Sequence, residues 1–245
     1  MSWARFIHAA PASGHAVQVY DEVDDLVESV VRFLAPGAPA IAIVTPDHRA
    51  RIEAALGDND VVWRDAEETL AAFMEGGMPS PSRFVDVVGG LVDEVAARFP
   101  GETIRAFGEM VDVLWQQGNE EGALWLEELW NELAETRRFS LLCGYRFDIF
   151  DPAVQQHALP RVFAPHTHVR PAADALALSA AVDRALADVA GPLEAARIYL
   201  DVAQDVPRGK TSRSQAVLGW LSTQRSDIAA KVCTQARSYY LTPRD

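Results

Sequence analysis

Residues able to carry chemistry gather at a few places in the 245-residue chain. His166 and His168, one residue apart, would present two imidazoles on one face of a strand, half of a zinc or iron site. His15, His157, Glu109 or Cys143 could add a third ligand. Glu109 follows the apolar run at 103–107 and is expected to face the ligand pocket, the alternative being an ordinary helix-capping or loop carboxylate. With His166 and His168 it would make a metal-dependent hydrolase. Arg105 sits inside that same run and needs a buried partner. Residues i and i+4 of a strand share a face, so Glu109 is the expected partner, in a structural ion pair. His15, Gln18 and Tyr20 cluster at the first strand. Gln18 and Tyr20 share one face, and His15 points to the other. Tyr145, at the end of a later strand, is expected to face the same crevice as Glu109. Trp115, Trp125 and Trp130 fall within sixteen residues and allow an apolar pocket. Asn119 and Asn131 suit loop-fixing hydrogen bonds, Asn119 also being a candidate ligand contact. The motifs G-x-S-x-G, H-E-x-x-H and C-x-x-C are absent, as is G-x-G-x-x-G after a strand. Cys143, in an apolar run, reads as a small buried hydrophobe.

These residues depend on elements that alternate between the two periods of secondary structure. Strands are expected at 15–20, 40–45, 61–63, 103–107 and 139–145, helices at 21–34, 46–56, 66–74, 84–99 and 120–137. Residues 1–14 read as a lead-in and 76–82 as a loop. Residues 152–159 read as a helix and 162–169 as the last strand. Such alternation is an α/β fold with three layers around a mostly parallel sheet. Ligands of such sheets sit beyond the carboxyl ends of the strands. Past Pro171 the pattern changes to helical runs at 173–189, 192–205 and 214–240, giving a domain at 1–171 and a helical extension at 172–245. The extension reads as a lid, a dimerisation surface or an output module.

Composition narrows the function classes. A net charge of −13, with a pI near 4.9, argues against non-specific nucleic-acid or anionic-membrane binding. Two distant cysteines do not make a disulfide scaffold. With no signal-like start and no long apolar run, a soluble cytoplasmic protein is expected. The Gly209-Lys-Thr-Ser212 stretch resembles the end of a phosphate loop, but Gln204 stands where its first glycine belongs, so it reads as an inter-helix loop.

Seven short motifs in order carry a resemblance: His15-x-x-Gln18-x-Tyr20, Phe33-Leu-x-x-Gly37, Val44-Thr-Pro-x-His48, Arg105-Ala-Phe-Gly-Glu-Met110, Trp115-x-x-Gly-Asn119, Leu126-Glu-x-Leu-Trp-Asn131 and Leu141-Leu-Cys-Gly-Tyr145. Over about residues 5–171 the chain resembles the MEDS domain, the methanogen/methylotroph, dichloromethane-regulator sensory domain. The resemblance implies a RecA/KaiC-like fold that has lost nucleotide chemistry. It also implies a non-enzymatic sensor of a small, hydrocarbon-derived organic ligand, without a cofactor. The expected partner is a histidine kinase or transcriptional regulator, or a second copy of the chain. Independently, the first strand–helix junction, Val19-Tyr-Asp-Glu-Val-Asp24, has three carboxylates and neither glycine nor lysine, the opposite of a phosphate cradle. On this reading the ligand contacts are His15, Gln18, Tyr20, Arg105, Glu109, Trp115, Asn119, Tyr145 and His166. The competing readings are the hydrolase above and a scaffold that binds no small molecule.

Overall fold

The computed structural model describes residues 3–35, 37–57, 59–206 and 211–242. Their contacts divide the chain into two units, residues 1–146 with 165–168, and residues 147–164 with 169–245.

The first unit begins with helix α1 (Trp3–Ala9), inside the stretch expected to be a lead-in. Strand β1 (His15–Tyr20) is buried throughout and leads to α2 (Val23–Leu34), whose apolar stripe buries Leu26, Val30, Phe33 and Leu34. Strand β2 (Ala40–Val44) feeds α3 (Pro46–Leu56), which starts with proline in its first turn. Strand β3 (Val61–Asp65) follows, and the Asp65 carboxylate accepts from the Glu68 N–H to cap α4 (Ala66–Phe73). A two-residue hairpin, β4 (Met74–Glu75) and β5 (Met78–Pro79), turns through Gly76 and Gly77 with φ of 57° and 87°. Positive φ at both central residues is what glycine permits in such a turn. Helix α5 (Pro81–Phe84) passes through a wide π turn (Val85–Gly89) into α6 (Gly90–Arg98). Strand β6 (Ile104–Gly108), helices α7 (Met110–Gln116) and α8 (Glu120–Thr136), and strand β7 (Phe139–Arg146) complete the unit.

The sheet order is β3-β2-β6-β7-β1-β8, and the β1–β7, β7–β6, β6–β2 and β2–β3 pairs are all parallel. From β1 the chain steps through β2 to β3 in one direction, then returns through β6 to β7 in the other. Right-handed crossovers therefore place α2 and α3 on one face and α8 on the opposite one. Ala16, Tyr20, Ala42, Phe107 and Leu142 pack with Leu26, Val30 and Phe33 on the first face. On the second, Phe73, Phe84, Trp130 and Phe139 form a chain of edge-on rings 5.3–5.7 Å apart.

The second unit is helical apart from the strand end at residues 169–170. A π turn (Val154–Ala158) continues as α9 (Leu159–Phe163), with Pro160 tolerated at the helix start. Residues 162–169, expected as a strand, are thus helical to Phe163, and β8 is only His168–Arg170. Helices α10 (Ala175–Ala190), α11 (Pro192–Asp205), α12 (Arg213–Gln224) and α13 (Ser226–Leu241) bury Leu178, Val182, Leu186, Ile198, Leu218, Leu221 and Val232. The run expected at 214–240 is two helices. The chain leaves helical geometry at Arg225 (φ −137°, ψ 54°), and Asp227 in the next first turn binds the Arg225 guanidinium at 2.9 and 3.0 Å. Residues 209 and 210 of the phosphate-loop-like stretch lie outside the described residues.

Candidate functional site

Two polar clusters lie in the first unit, on different parts of the sheet. The first is at the carboxyl ends of β2 and β6. These strands are neighbours, yet the connections leaving them run to opposite sides of the sheet, which makes this the topological switch point, the place where α/β sheets of this kind bind ligands. Glu109 stands there as the residue preceding α7, with φ −113° and ψ 0°. Its carboxylate accepts from the Thr45 N–H at 2.9 Å and hydroxyl at 3.2 Å, and from His48 Nδ1. The bond to Glu109 raises the His48 pKa against the opposing effect of burial. One helical turn further on, Asp112 accepts from the Arg146 N–H and the Gln116 amide, both at 3.1 Å, and from the Tyr20 hydroxyl at 3.4 Å. Burial pushes the Asp112 carboxyl up, against those hydrogen bonds. Burial, then the charges of Asp112 and Glu109, push the Tyr20 hydroxyl far up, so it remains a donor.

The second cluster lies between β1, β7 and α8. Glu127, fully buried on α8, accepts from the Tyr145 hydroxyl at 2.9 Å and the Cys143 thiol at 3.5 Å. His15 Nε2 lies 3.1 Å and His166 Nε2 3.4 Å from its two oxygens. Burial alone would raise the Glu127 pKa, but the charge of His166 and the bonds from both imidazoles prevail and hold it well below the carboxylate range. Burial and Glu127 push the Cys143 thiol and the Tyr145 hydroxyl well up. His15 Nδ1 meets Asn131 Oδ1 at 2.8 Å, and the two imidazole rings lie 4.1 Å apart.

The residues singled out from sequence are therefore split. Tyr20 and Glu109 meet at the strand ends. Tyr145, expected beside Glu109, instead points to the other side with His15, Cys143 and His166, because odd-numbered residues of β7 face α8. The Arg105–Glu109 ion pair does not form. The strand ends at Gly108, and the Arg105 guanidinium turns back to donate to the carbonyls of Ile7, His8 and Phe33 at 2.7–2.8 Å. Gln18 lies on the α2 face, donating to the Asp25 carbonyl at 3.0 Å. Trp115 packs edge-on against Tyr145 at 5.9 Å. Asn119 caps α8 through the Gly122 N–H at 3.0 Å and donates to the Gly77 carbonyl at 2.7 Å, a structural tie. His166 and His168 do not share a strand face, since β8 starts only at His168, whose ring packs on Phe6 at 5.0 Å.

Glu127, Asp112 and the role of His48 were missed. Glu127 had a signal: it lies four residues after buried Ala123 and three before buried Trp130, an acid on the core stripe of α8. Asp112 gave none, and His48, although it closes the Val44-Thr-Pro-x-His48 motif, otherwise reads as an ordinary polar residue near a helix start.

Within the second unit, a cavity of about 520 Å³ is lined by Leu159, Phe163, Trp220, Gln155 and Gln215 among others. The Gln215 amide donates to Gln155 Oε1 at 2.5 Å, and its own oxygen is buried with no partner among the described residues.

No helix among the described residues is long and apolar enough to cross a membrane. Residues 14–160 match the model of the MEDS family, the methanogen/methylotroph, DcmR sensory domain. Neither the curated proteins nor the solved structures contain a match to the chain.

Proposed function

The chain belongs to the MEDS family, and from that premise we propose that it is a non-enzymatic sensor of a small organic molecule, seated at the carboxyl ends of β2 and β6. The carrying observation is the pair of buried carboxylates, Glu109 and Asp112, held by His48, Thr45 and Tyr20 at the switch point of the sheet. An acidic crevice lined by a phenol and an imidazole suits a small neutral or amine-bearing molecule and repels phosphate. The family's methylotroph and methanogen members point to one-carbon compounds. A RecA/KaiC-type ancestry fits the parallel sheet, and loss of nucleotide chemistry fits the acidic start of α2, with Asp24 and Asp25 in its first turn. The signal passes to a histidine kinase, a regulator or a second copy of the chain. Helix α11 exposes Leu193 and Leu200, two turns apart on one face, as a surface for such a partner. The two buried free cysteines suit the reducing cytoplasm.

The cavity of the second unit supports another seat for the ligand, because its volume is that of a small-molecule pocket and Gln215 offers an unused acceptor. Amide NMR of the full chain titrated with methanol, methylamines and chlorinated methanes separates the two. Shifts centred on Thr45, His48 and Glu109, weakened by Glu109→Gln, are expected. Shifts confined to Gln155, Gln215 and Trp220 would move the seat to the cavity. Turnover of a bound compound would sink the non-enzymatic reading.

A further inference from the structure

We propose that His15, Glu127, Cys143 and His166 form a closed binding site for one divalent transition-metal ion, zinc foremost. This site stands apart from the crevice at the strand ends and does not depend on the sensor reading.

The geometry comes first. Zinc bonds of about 2.0–2.3 Å to nitrogen, oxygen and sulfur in a tetrahedron require donor atoms roughly 3.3–3.8 Å from one another. His15 Nε2 lies 3.4 Å from Cys143 Sγ and 3.1 Å from Glu127 Oε2. Cys143 Sγ lies 3.5 Å from Glu127 Oε2, and His166 Nε2 lies 3.4 Å from Glu127 Oε1. All the donor atoms fall within 4.8 Å of one another. Four ligand-type side chains from β1, α8, β7 and the 165–168 segment thus turn their donor atoms to a common point.

The outer contacts fit a metal centre as well. Asn131 Oδ1 accepts from His15 Nδ1, the outer hydrogen bond that orients a ligating imidazole with its Nε2 towards the cluster. Tyr145 donates to the Glu127 carboxylate and orients it. A bound cation would take the place of the imidazole protons that now bond to the Glu127 carboxylate. On binding, the Cys143 thiol loses its proton to solvent as the S–metal bond forms. Two neutral imidazoles, one thiolate and one carboxylate around a divalent ion then sum to zero charge, the condition under which a fully buried centre is tolerable. Both imidazole and thiolate ligands select zinc or a similar metal over magnesium or calcium. With all four residues buried, no coordination position is open to solvent, so the site is structural and not catalytic.

The test uses the intact chain. After exhaustive dialysis, elemental analysis is expected to find close to one zinc or iron per chain. After chelator treatment, titration with cobalt(II) is expected to give intense tetrahedral visible bands and a near-ultraviolet thiolate band, saturating at one equivalent, with a rise in melting temperature. Cys143→Ser is expected to abolish the thiolate band, whereas Cys233→Ser and His168→Ala leave it unchanged. Because variants of a buried cluster can fail to fold, the wild-type titration stands alone. Metal-free protein that gives no thiolate band with cobalt overturns the proposal, as does a band that survives Cys143→Ser or vanishes in Cys233→Ser.

Discussion

His48 gains its raised pKa from Glu109, so the pair has a definite pH signature. A folded pKa above the unfolded value of about 6.5 means a stabilisation fully present below that pH and lost as pH rises through the folded pKa. An imidazole titration followed by NMR should place His48 above the ordinary value, and Glu109→Gln should bring it back down. Glu127 behaves in the opposite sense. Its depressed pKa means a contribution present above about pH 4.3 that is lost as pH falls towards the folded value. Glu127→Gln should cost about 3–5 kcal/mol at pH 7 by chemical denaturation, because it leaves buried imidazoles without their carboxylate. That deficit should shrink in acid. At this scale sequence gave partial sight. Face parity separated His15 from Gln18 correctly, as the period of a strand guarantees. It could not place Tyr145, because parity fixes a face only relative to neighbours on the same strand, and nothing local relates β7 to β6. Glu127 escaped notice because its role depends on β1 and the 165–168 segment, both distant in sequence.

Elements were legible wherever the apolar period was long. The β1, α3 and α11 boundaries follow directly from strand alternation, an early proline and a Gly191-Pro192 start. Helix α1 was not legible, because seven residues with two buried side chains carry too little periodicity. Its place is set instead by Arg105, whose fork holds carbonyls from α1 and α2 together while the guanidinium lies over the Phe33 ring at 5.6 Å. Arg105→Met should therefore lose roughly 3 kcal/mol or more, and amide exchange should rise first in α1. Arg105→Lys should rescue little, since an ammonium cannot reproduce the planar fork. Asn119→Ala should cost about 1–2 kcal/mol through the lost α8 cap, with added exchange at the Gly76–Gly77 turn that it tethers. Gly122→Ala should be comparably harmful, because a Cβ there would stand 2.5–2.7 Å from the Asn119 side chain.

For the whole molecule, charge and topology decide what is not bound. With a net charge of −13 and an acidic first turn in α2, the chain should show no heat of ATP binding in calorimetry and no retention of duplex DNA at physiological salt. Measurable affinity for either would contradict the reading of the β2–β6 strand ends as an acidic site that repels phosphate. The α/β class was legible from alternation alone. The order of the strands was not, because any order with right-handed crossovers satisfies the same periodicity. That order also sets a timetable. β1 leaves the ribosome first among the strands, yet it is buried between β7 and β8, and its opening residue bonds to Thr167, 152 residues later. Until β7 is made the apolar strand His15–Tyr20 has neither edge covered, and the second edge waits for the segment around Thr167. The nascent chain must hold an unpaired apolar ribbon through more than half of synthesis, so closure of this sheet is non-local and expected to be slow.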